Sequence, residues 1–332
     1  MIDLSAYKDK TIAVMGLGRS GLPTARALVA AEAQVYAWDD SESARSDAAK
    51  VGVPIFDLSA QNWLKTDSLI LSPGIPHTYP KANPIAAAAK AANCSIIGDV
   101  ELLVQSNQNA TIIAITGTNG KSTTTALIGH ILKAANREVI VGGNLGTPVL
   151  EFPTLTPDGF YVLELSSYQL ELTPSLDPTV AVLLNISADH LDRHGGIDGY
   201  IAAKRLIFKN QKPGNAAILG IDEPESAKIF QDIAANNNQC SLPISGYQSV
   251  KAGVYVIDQI LYDNRNGLQQ PVVSLESIET LPGDHNAQNA AAAAAACFMV
   301  GINATEIANG IETFPGLAHR QQLATIIDGI RY

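Results

Sequence analysis

The residues with the clearest chemical potential form a short loop over residues 116–123, with the sequence Thr-Gly-Thr-Asn-Gly-Lys-Ser-Thr. The loop follows an apolar run that predicts a strand, and it precedes a helical stretch. In such loops backbone amides surround phosphate oxygens, a lysine neutralises the terminal phosphates, and a hydroxyl ligates Mg²⁺. We therefore predict an ATP site whose contacts are Gly117, Thr118, Asn119, Gly120, Lys121, Ser122 and Thr123.

This loop departs from the general phosphate-loop pattern at one position. Ile115 stands five residues before Gly120, where the general pattern has glycine, so the loop is a shorter variant. The alternative interpretation is a helix-capping turn with a solvated lysine. That alternative leaves a Gly-Lys-Ser-Thr string after a buried strand unexplained, and ATP binding is therefore favoured.

A second glycine turn covers residues 16–21, with the sequence Gly-Leu-Gly-Arg-Ser-Gly between a predicted strand and a predicted helix. Asp39 and Asp40 end the next predicted strand. Glycines at this spacing let the backbone approach a pyrophosphate at a helix N-terminus, and a carboxylate about twenty residues on accepts sugar hydroxyls. The pattern predicts a site for a diphosphate and a sugar, and it does not specify nicotinamide. The alternative is a tight turn that binds nothing.

Two further segments carry metal-ligand chemistry. Glu164 ends the predicted strand at residues 161–165, at the edge where a parallel sheet presents ligands. His190 lies with two aspartates in residues 185–194, which follow the next strand. A single histidine is more often structural, but this one follows a strand of the same predicted sheet as the phosphate loop. Because Mg²⁺ prefers oxygen ligands, a histidine ligand implies a second metal position that a carboxylate shares.

Charge and cysteine content exclude several classes of protein. The 332 residues carry 22 Lys and Arg against 32 Asp and Glu, and the net charge of −10 opposes a broad nucleic-acid or anionic-membrane footprint. Cys94, Cys240 and Cys297 form no CxxC pair, so neither a disulfide framework nor a zinc site is indicated. No signal peptide is recognisable, and the longest apolar run is about half of a bilayer span. We expect a cytoplasmic protein with no nucleic-acid or membrane partner.

The elements that must position these residues alternate along the chain. Apolar runs typical of strands alternate with helical stretches, which predicts an α/β fold with parallel sheets and crossover helices. The segment 93–98 is predicted to be a turn, and the alanine tract 290–296 a helix with Asp284 as its N-cap. The last residues suit a hairpin or a strand entry. Strands are predicted at residues 11–15, 35–38, 68–71, 112–116, 139–141, 161–165, 180–185, 217–219, 254–257 and 272–275.

These elements group into domains. We predict a Rossmann-like parallel-sheet domain over residues 1–99 and a central P-loop ATPase-type α/β domain over residues 100–317, with a more irregular β-rich insert across 240–280. The first boundary is placed there because a polar patch at residues 105–109 precedes a fresh strand. Residues 318–332 would begin a further domain.

Together, these segments resemble the ATP-dependent Mur ligases of peptidoglycan precursor synthesis. The resemblance rests on the two glycine loops and on residues 164–170, Glu-Leu-Ser-Ser-Tyr-Gln-Leu, which are close to the motif of the D-glutamate-adding members. The family has a third, C-terminal domain, and the sequence stops before it. We therefore expect a truncated chain with little or no turnover alone. Further matching segments are residues 72–75, 142–146, 185–193, 200–204, 283–289 and 314–320.

The resemblance implies a role for particular residues. Lys204 matches a lysine that the family carries as a carbamate, and because that reaction needs a neutral amine, burial must lower its pKa. Ser122, Glu164, His190 and Lys204 match the metal positions, and Asn286, Asn289 and Arg320 match further ATP contacts. Asn144 and His190 would reach the muramoyl part of the substrate. The UDP part would contact Gly18, Arg19, Ser20, Asp39, Asp40, Ser72 and Gly74.

The implied activity is ATP-dependent joining of D-glutamate to UDP-N-acetylmuramoyl-L-alanine through an acyl phosphate. Lys121, His190 and Lys204 would be catalytic, ATP and Mg²⁺ the cofactors, and the third domain would hold most of the D-glutamate site. We expect a monomer. One alternative is an NAD-dependent dehydrogenase, which gives Lys121 no role, and another is a non-catalytic nucleotide-binding module. A ligase like folylpolyglutamate synthase shares the ATP loop but lacks the first domain.

Overall fold

The computed structural model describes residues 2–106, 109–236 and 238–317, together with the backbone of residues 326–327 and 330–331. The described strands form one parallel sheet, one mixed sheet that is mostly parallel, and one short antiparallel pair. Helices connect most of the parallel strands, as a parallel arrangement requires. The predicted α/β class is confirmed.

The first part of the chain builds a four-stranded parallel sheet. Its elements are β1 (Thr11–Met15), α1 (Gly21–Ala30), β2 (Gln34–Trp38), α2 (Glu42–Lys50), β3 (Ser68–Leu71), α3 (Pro84–Ala91) and β4 (Ser95–Ile97). The strand order is β2-β1-β3-β4. Because all four strands are parallel, their carboxyl ends share one edge, and the glycine turn and Asp39 both begin at that edge.

The prediction of a turn at residues 93–98 is wrong, because β4 lies within it. Ser95 pairs with Ser68 and Ile97 with Ile70, so this segment is the fourth strand of the first sheet. Three residues are too few to show an alternating or continuous apolar pattern. Pairing with β3, which is distant in sequence, makes this short segment a strand.

The second sheet has nine strands. They are β5 (Thr111–Thr116), β6 (Val139–Gly143), β7 (Phe160–Glu164), β8 (Val180–Leu183), β9 (Ala216–Gly220), β10 (Cys240–Ser245), β11 (Val254–Ile257), β12 (Ile260–Asp263) and β13 (Gln270–Ser274). The order is β13-β12-β11-β10-β9-β8-β5-β7-β6, and among these strands only β12 runs opposite to the others. The phosphate loop follows β5, which lies between β7 and β8.

Helices that begin or pack beside this sheet carry six of the predicted site residues, which are Lys121, Ser122, Thr123, Lys204, Asn286 and Asn289. They are α4 (Asp99–Ser106), α5 (Lys121–Ala134), α6 (Ser167–Glu171), α7 (Leu191–His194), α8 (Ile197–Arg205), α9 (Pro224–Asn236), α10 (Asp284–Met299) and α11 (Ala304–Glu312). The β-rich insert predicted at residues 240–280 extends the same sheet. Sequence reasoning did not predict β10 or β12, and Pro243 within β10 argued against a strand there.

The alanine tract forms part of α10, as predicted, and its seven alanines are fully buried. Such small side chains let α10 approach α5 and the sheet closely. The N-cap prediction is wrong, because Gly283 is the N-cap and Asp284 is the first helical residue. Gly283 has a φ of 81°, which glycine adopts without strain.

Three further expectations concern the end of the chain, membrane-spanning helices and the domain boundaries. Residues Ile326–Ile327 (β14) and Ile330–Arg331 (β15) pair antiparallel, which confirms the hairpin at the end of the chain. Across the described residues we find no helix with the length and apolar character that a membrane crossing needs. The domain boundaries stay predictions.

Candidate functional site

The backbone of the phosphate loop is held in place by a side chain that follows the neighbouring strand of the sheet. Asn185 follows β8, and its Oδ1 accepts hydrogen bonds from the backbone amides of Thr118 at 3.2 Å and Asn119 at 2.8 Å. Gly120 has a φ of 83°, and a Cβ there would lie 2.2 Å from Asn289 Oδ1. The loop therefore needs glycine at this position. Asn185 is a site residue to which the sequence analysis gave no role.

Lys121, the first residue of α5, lies on its own loop. Its Nζ donates to the carbonyls of Gly117 at 2.9 Å and Thr118 at 2.7 Å. An ammonium at a helix N-terminus and beside several backbone amides makes this loop a site for anions. The lysine that is predicted to neutralise the terminal phosphates of ATP therefore lies at the loop.

Lys204 lies deep beneath the same loop. It is only 2% exposed, and its Nζ donates to the Gly117 carbonyl at 2.7 Å, the oxygen that also accepts from Lys121. Burial, together with the nearby charge of Lys121, lowers the pKa of Lys204 to about 7. The expectation that burial lowers its pKa is confirmed. A substantial fraction of this amine is neutral near neutral pH.

Glu164 ends β7, one strand away from the loop, opposite Ile115 of β5. Its Oε1 accepts a hydrogen bond from Asn144 Nδ2 at 2.8 Å, while its Oε2 is buried and accepts none within the described ranges of the chain. A buried carboxylate oxygen without a partner is costly unless a cation or donor is supplied. With the buried hydroxyl of Ser122 on α5, the donor chemistry fits Mg²⁺, which prefers oxygen ligands.

His190 is more exposed to solvent than the other predicted metal ligands. Its side chain is 57% exposed, and its Nε2 lies 3.6 Å from Asp189 Oδ2. Its ring lies 5.5 Å from that of Tyr168. Among the described residues no three His, Cys, Asp or Glu side chains gather as a metal cluster. The predicted ligands are instead one hydroxyl, one carboxylate, one imidazole and one amine.

A cavity of about 910 Å³ opens beside the phosphate loop, and we call it the phosphate-loop cavity. It contains five of the predicted ATP contacts, Asn119, Gly120, Thr123, Asn286 and Asn289. Asn289 Nδ2 donates to Asn286 Oδ1 at 3.0 Å, so these two residues lie side by side on α10, as their spacing predicts. Arg320 lies outside the described residues.

Sequence reasoning missed much of the far wall of this cavity. Gln288 bridges Asn185 and Asp222, accepting from Asn185 Nδ2 at 3.1 Å and donating to Asp222 Oδ2 at 2.9 Å. Asp222 follows the carboxyl end of β9, so the rule that selected Glu164 could have found it. Other lining residues without a prediction are Glu223, Tyr247, Thr280, His285 and Leu317.

A second cavity of about 430 Å³ lies at the carboxyl edge of the first sheet, and we call it the glycine-turn cavity. It is completed by residues from the second sheet's side, among them Gly143 and Gln169. Asp99 also lines it, and the sequence analysis gave Asp99 no role. The cavity contains eight of the nine residues predicted for the nucleotide sugar, and His190 is not among its lining residues. The eight are Gly18, Arg19, Ser20, Asp39, Asp40, Ser72, Gly74 and Asn144.

Asp39 and Arg19 are among the residues of this set that make contacts within the protein. Asp39 Oδ2 accepts from the Leu17 amide at 2.7 Å and Oδ1 from the Ser41 amide at 2.8 Å, so this carboxylate fixes the glycine turn. Asp40 is the exposed acid of the pair. The Arg19 guanidinium donates across to the backbone carbonyls of Asn144 and Gly146, and it thereby joins the two sheets.

A buried histidine lies behind the site, and no role was predicted for it. His194 Nε2 is 2.9 Å from Ser167 Oγ, and its Nδ1 is 3.4 Å from Glu171 Oε1. Burial lowers the pKa of His194 to about 4 and raises that of Glu171 to about 7. His194 also stacks on Tyr168, which contacts His190. This cluster supports the segment that carries the predicted metal residue.

Two family models match the chain, the Mur ligase MurD-like N-terminal domain over residues 10–98 and the Mur ligase middle domain over residues 115–297. Similar curated proteins include the UDP-N-acetylmuramoylalanine--D-glutamate ligases of Caulobacter vibrioides, 47% identical, and Rhodospirillum rubrum, 49% identical. Each alignment covers 100% of this chain. It covers 72% of the Caulobacter protein and 71% of the Rhodospirillum protein.

Solved structures share the fold at lower identity. UDP-N-acetylmuramate:L-alanyl-gamma-D-glutamyl-meso-diaminopimelate ligase from Neisseria meningitides is 16% identical with a TM-score of 0.60, over 93% of this chain and 99% of that one. UDP-N-acetylmuramate-alanine ligase from Thermotoga maritima is 21% identical with a TM-score of 0.53, over 96% and 71%. These similarities establish the architecture alone.

Proposed function

The chain belongs to the Mur ligase family, and from that premise we propose that its site joins D-glutamate to UDP-N-acetylmuramoyl-L-alanine. It is an ATP-dependent ligase of peptidoglycan precursor synthesis. The NAD-dependent dehydrogenase is not supported, because the model that matches the glycine turn is that of a Mur ligase N-terminal domain.

The observation that carries the proposal is the position of Glu164 between the two cavities. Through β7 and β5 this carboxylate adjoins the phosphate loop, and through Asn144 it is bonded to the wall of the glycine-turn cavity. A nucleotide in one cavity and a nucleotide sugar in the other would therefore meet near this carboxylate. The carboxyl edge of parallel strands is where such ligands bind.

The chemistry requires positive charge at that meeting point. The L-alanine carboxylate must attack the γ-phosphorus of ATP, and two anions approach only where cations stabilise the transition state. Lys121 and the N-terminal amides of α5 supply that charge at the loop. The amine of D-glutamate then displaces phosphate from the acyl phosphate and forms the amide.

We expect Ser122 and Glu164 to hold Mg²⁺, because Glu164 Oε2 is a buried oxygen ligand that has no hydrogen-bond partner in the described part of the chain. Bound Mg²⁺ neutralises phosphate oxygens and orients the reacting groups. Lys121, Ser122 and the loop amides would hold ATP from one side, and Asn286 and Asn289 from the phosphate-loop cavity. Arg320 is proposed as a further contact from the resemblance.

Lys204 is proposed to carry a carbamate, formed when its neutral amine adds CO₂ and releases a proton. Its lowered pKa supports this modification, because at the usual lysine pKa the amine would be almost fully protonated at neutral pH. The product is a carboxylate close to the phosphate loop. With His190 it would form the second metal position, and His190 with Asn144 would face the muramoyl group.

The UDP group is proposed to lie in the glycine-turn cavity, on the backbone amides at residues 16–21. We expect the protein to act as a monomer in the cytoplasm. Cys94, Cys240 and Cys297 are all free thiols, which suits a reducing compartment.

Ligand-induced thermal stabilisation tests the proposed function. UDP-N-acetylmuramoyl-L-alanine at about one hundred times its Kd should stabilise the folded chain by about 2.7 kcal/mol, and NAD should leave it unchanged. Stabilisation by NAD but not by the nucleotide sugar would contradict the proposal. In an enzyme that joins this chain to the third domain of the family, phosphate release from ATP that depends on both the nucleotide sugar and D-glutamate separates a ligase from a non-catalytic nucleotide-binding module.

A further inference from the structure

One carboxylate at the wall of the glycine-turn cavity has an oxygen atom without a hydrogen-bond partner among the described residues. Asp99 follows β4 and is 6% exposed, and it is among the residues that line the cavity. Its Oδ1 is buried and accepts no hydrogen bond from the residues that the structure describes. A buried acceptor without a partner costs about 1–3 kcal/mol, more when the group is charged. The fold therefore tolerates a destabilising group at a binding cavity.

Glu101 lies two residues further along α4, and it shows that a buried carboxylate of this helix can receive hydrogen bonds. Glu101 is 1% exposed, and its oxygens accept hydrogen bonds from the backbone and hydroxyl of Ser175 and from Gln105. Asp99 has no such partners for Oδ1, and burial raises the pKa of its carboxyl to about 6. The difference between them is that Asp99 adjoins the cavity.

The strand order indicates which part of a ligand reaches Asp99. Along the order β2-β1-β3-β4, Asp40 follows β2, the glycine turn follows β1 and Asp99 follows β4. At about 4.8 Å per strand, Asp99 lies about 10 Å from the turn on the side opposite Asp40. With the diphosphate on the turn and the ribose toward the acids after β2, the second sugar extends toward β3 and β4.

We propose that Asp99 is a specificity-determining residue that accepts a hydrogen bond from an uncharged N–H or O–H donor on the amino-sugar part of the nucleotide-sugar substrate. The inference rests on the proposed function. A carboxylate at this position repels a diphosphate, so it also fixes the ligand's direction across the sheet edge. A donor from the sugar satisfies the acceptor that the protein leaves unpartnered.

Calorimetric titration of two ligands, UDP and UDP-N-acetylmuramoyl-L-alanine, tests the inference. Asp99→Ala should weaken binding of the nucleotide sugar about tenfold or more, as expected for a lost hydrogen bond to a charged group, and change UDP binding less than about twofold. Asp99→Asn keeps the shape, removes the charge and should give a smaller loss with the same selectivity. It also guards against a variant that fails to fold.

Glu101→Gln is the matched control, because it alters an equally buried acid of the same helix outside the cavity. It should lower the melting temperature and leave the ratio of the two affinities unchanged. Equal losses for both ligands in the Asp99 variants, or no loss for either, would overturn the role of Asp99. A wild-type chain that binds UDP but not the nucleotide sugar would instead refute the proposed function.

Discussion

The two glycine loops share one plan, a buried strand, a turn and a helix, yet they differ in where they keep positive charge. In the phosphate loop two amines, Lys121 and Lys204, donate to one carbonyl oxygen, that of Gly117. In the glycine turn the only cationic side chain of residues 16–21, Arg19, donates to carbonyls on the other sheet. Under the proposed function, a similar backbone would bind a diphosphate at the glycine turn and support phosphoryl transfer at the phosphate loop.

Buried charge differs in the same way. Beside the phosphate loop the buried group is an amine whose pKa is lowered, and beside the glycine turn it is the acid Asp99, whose pKa is raised. Desolvation causes both shifts, because it disfavours whichever form is charged. An amine that can be neutral is suited to covalent change, whereas an unpartnered acid is suited to recognition.

The substitution with the largest predicted consequence removes the positive charge of Lys121 from the phosphate loop. In an enzyme that joins this chain to the third domain of the family, Lys121→Ala should lower the rate of phosphate release with both substrates by about 10²–10³, the loss seen when one preorganised transition-state donor is removed. Arg19→Ala is the matched control at the other loop. It should weaken nucleotide-sugar binding without a comparable fall in the maximal rate.

Steady-state kinetics separate these outcomes, and ATP affinity from calorimetry gives a readout that needs no turnover. Equal falls in maximal rate for the two variants would show that the loops do not divide binding and chemistry in this way.

Lys204 gives the next largest effect, on stability as pH rises. Its pKa is about 7 in the folded chain against 10.5 for an ordinary lysine, so the unfolded chain binds more protons between these values. The contribution of Lys204 to the free energy of unfolding should therefore rise by about 1.4 kcal/mol per pH unit between pH 7 and about 10. Below pH 7 its cost is constant and largest.

Denaturant unfolding at several pH values measures this slope as the difference between wild type and Lys204→Met. Lys209→Met, which alters an exposed lysine nearby, should leave the slope as in wild type. A Lys204→Met variant with the wild-type slope would contradict the interpretation that burial lowers the pKa of Lys204.

Two glycine substitutions compare how tightly the two loops are packed. Gly120→Ala places a Cβ 2.2 Å from Asn289 Oδ1 at a φ of 83°, and it should destabilise the fold by about 2 kcal/mol. Gly18→Ala meets nothing within 4 Å and should change stability by less than about 0.5 kcal/mol. Chemical denaturation measures both, and similar values would show that the phosphate loop is no tighter than the turn.

The smallest effect concerns the acids after β2. Asp39→Asn replaces one of two acceptors for backbone amides with an NH₂ group, which should lower the free energy of unfolding by about 1 kcal/mol. Asp40→Asn should change it by less than about 0.5 kcal/mol, because Asp40 is exposed. Thermal unfolding would contradict this division if Asp40→Asn were the more damaging change.

Much of the fold could be predicted from local sequence. The strands at residues 11–15, 68–71 and 254–257 have the predicted bounds, because continuous apolar runs between turns identify buried strands. The short β4 and the proline-containing β10 could not be found this way. Their identity comes from pairing with strands distant in sequence, which local periodicity does not contain.

The site divides similarly. Motif spacing selected the two loops and Glu164, because backbone geometry at strand ends determines which residues face a ligand. Lys204 was selected by the family resemblance alone. It could not show that Asp39 is used by the turn, that Arg19 joins the sheets, or that Glu164 Oε2 and Asp99 Oδ1 lack partners. Those features depend on which side chains meet after packing, and a motif does not encode that.

The most direct test is a crystal structure of the chain with Mg²⁺ and a non-hydrolysable ATP analogue. The analogue should occupy the phosphate-loop cavity, with Lys121 Nζ moved from the Gly117 and Thr118 carbonyls to the terminal phosphates and a magnesium ion on Glu164 Oε2 and Ser122 Oγ. An analogue bound elsewhere, or bound in this cavity with Lys121 still on those carbonyls and Glu164 without a cation, would contradict the assignment of this loop to phosphoryl transfer.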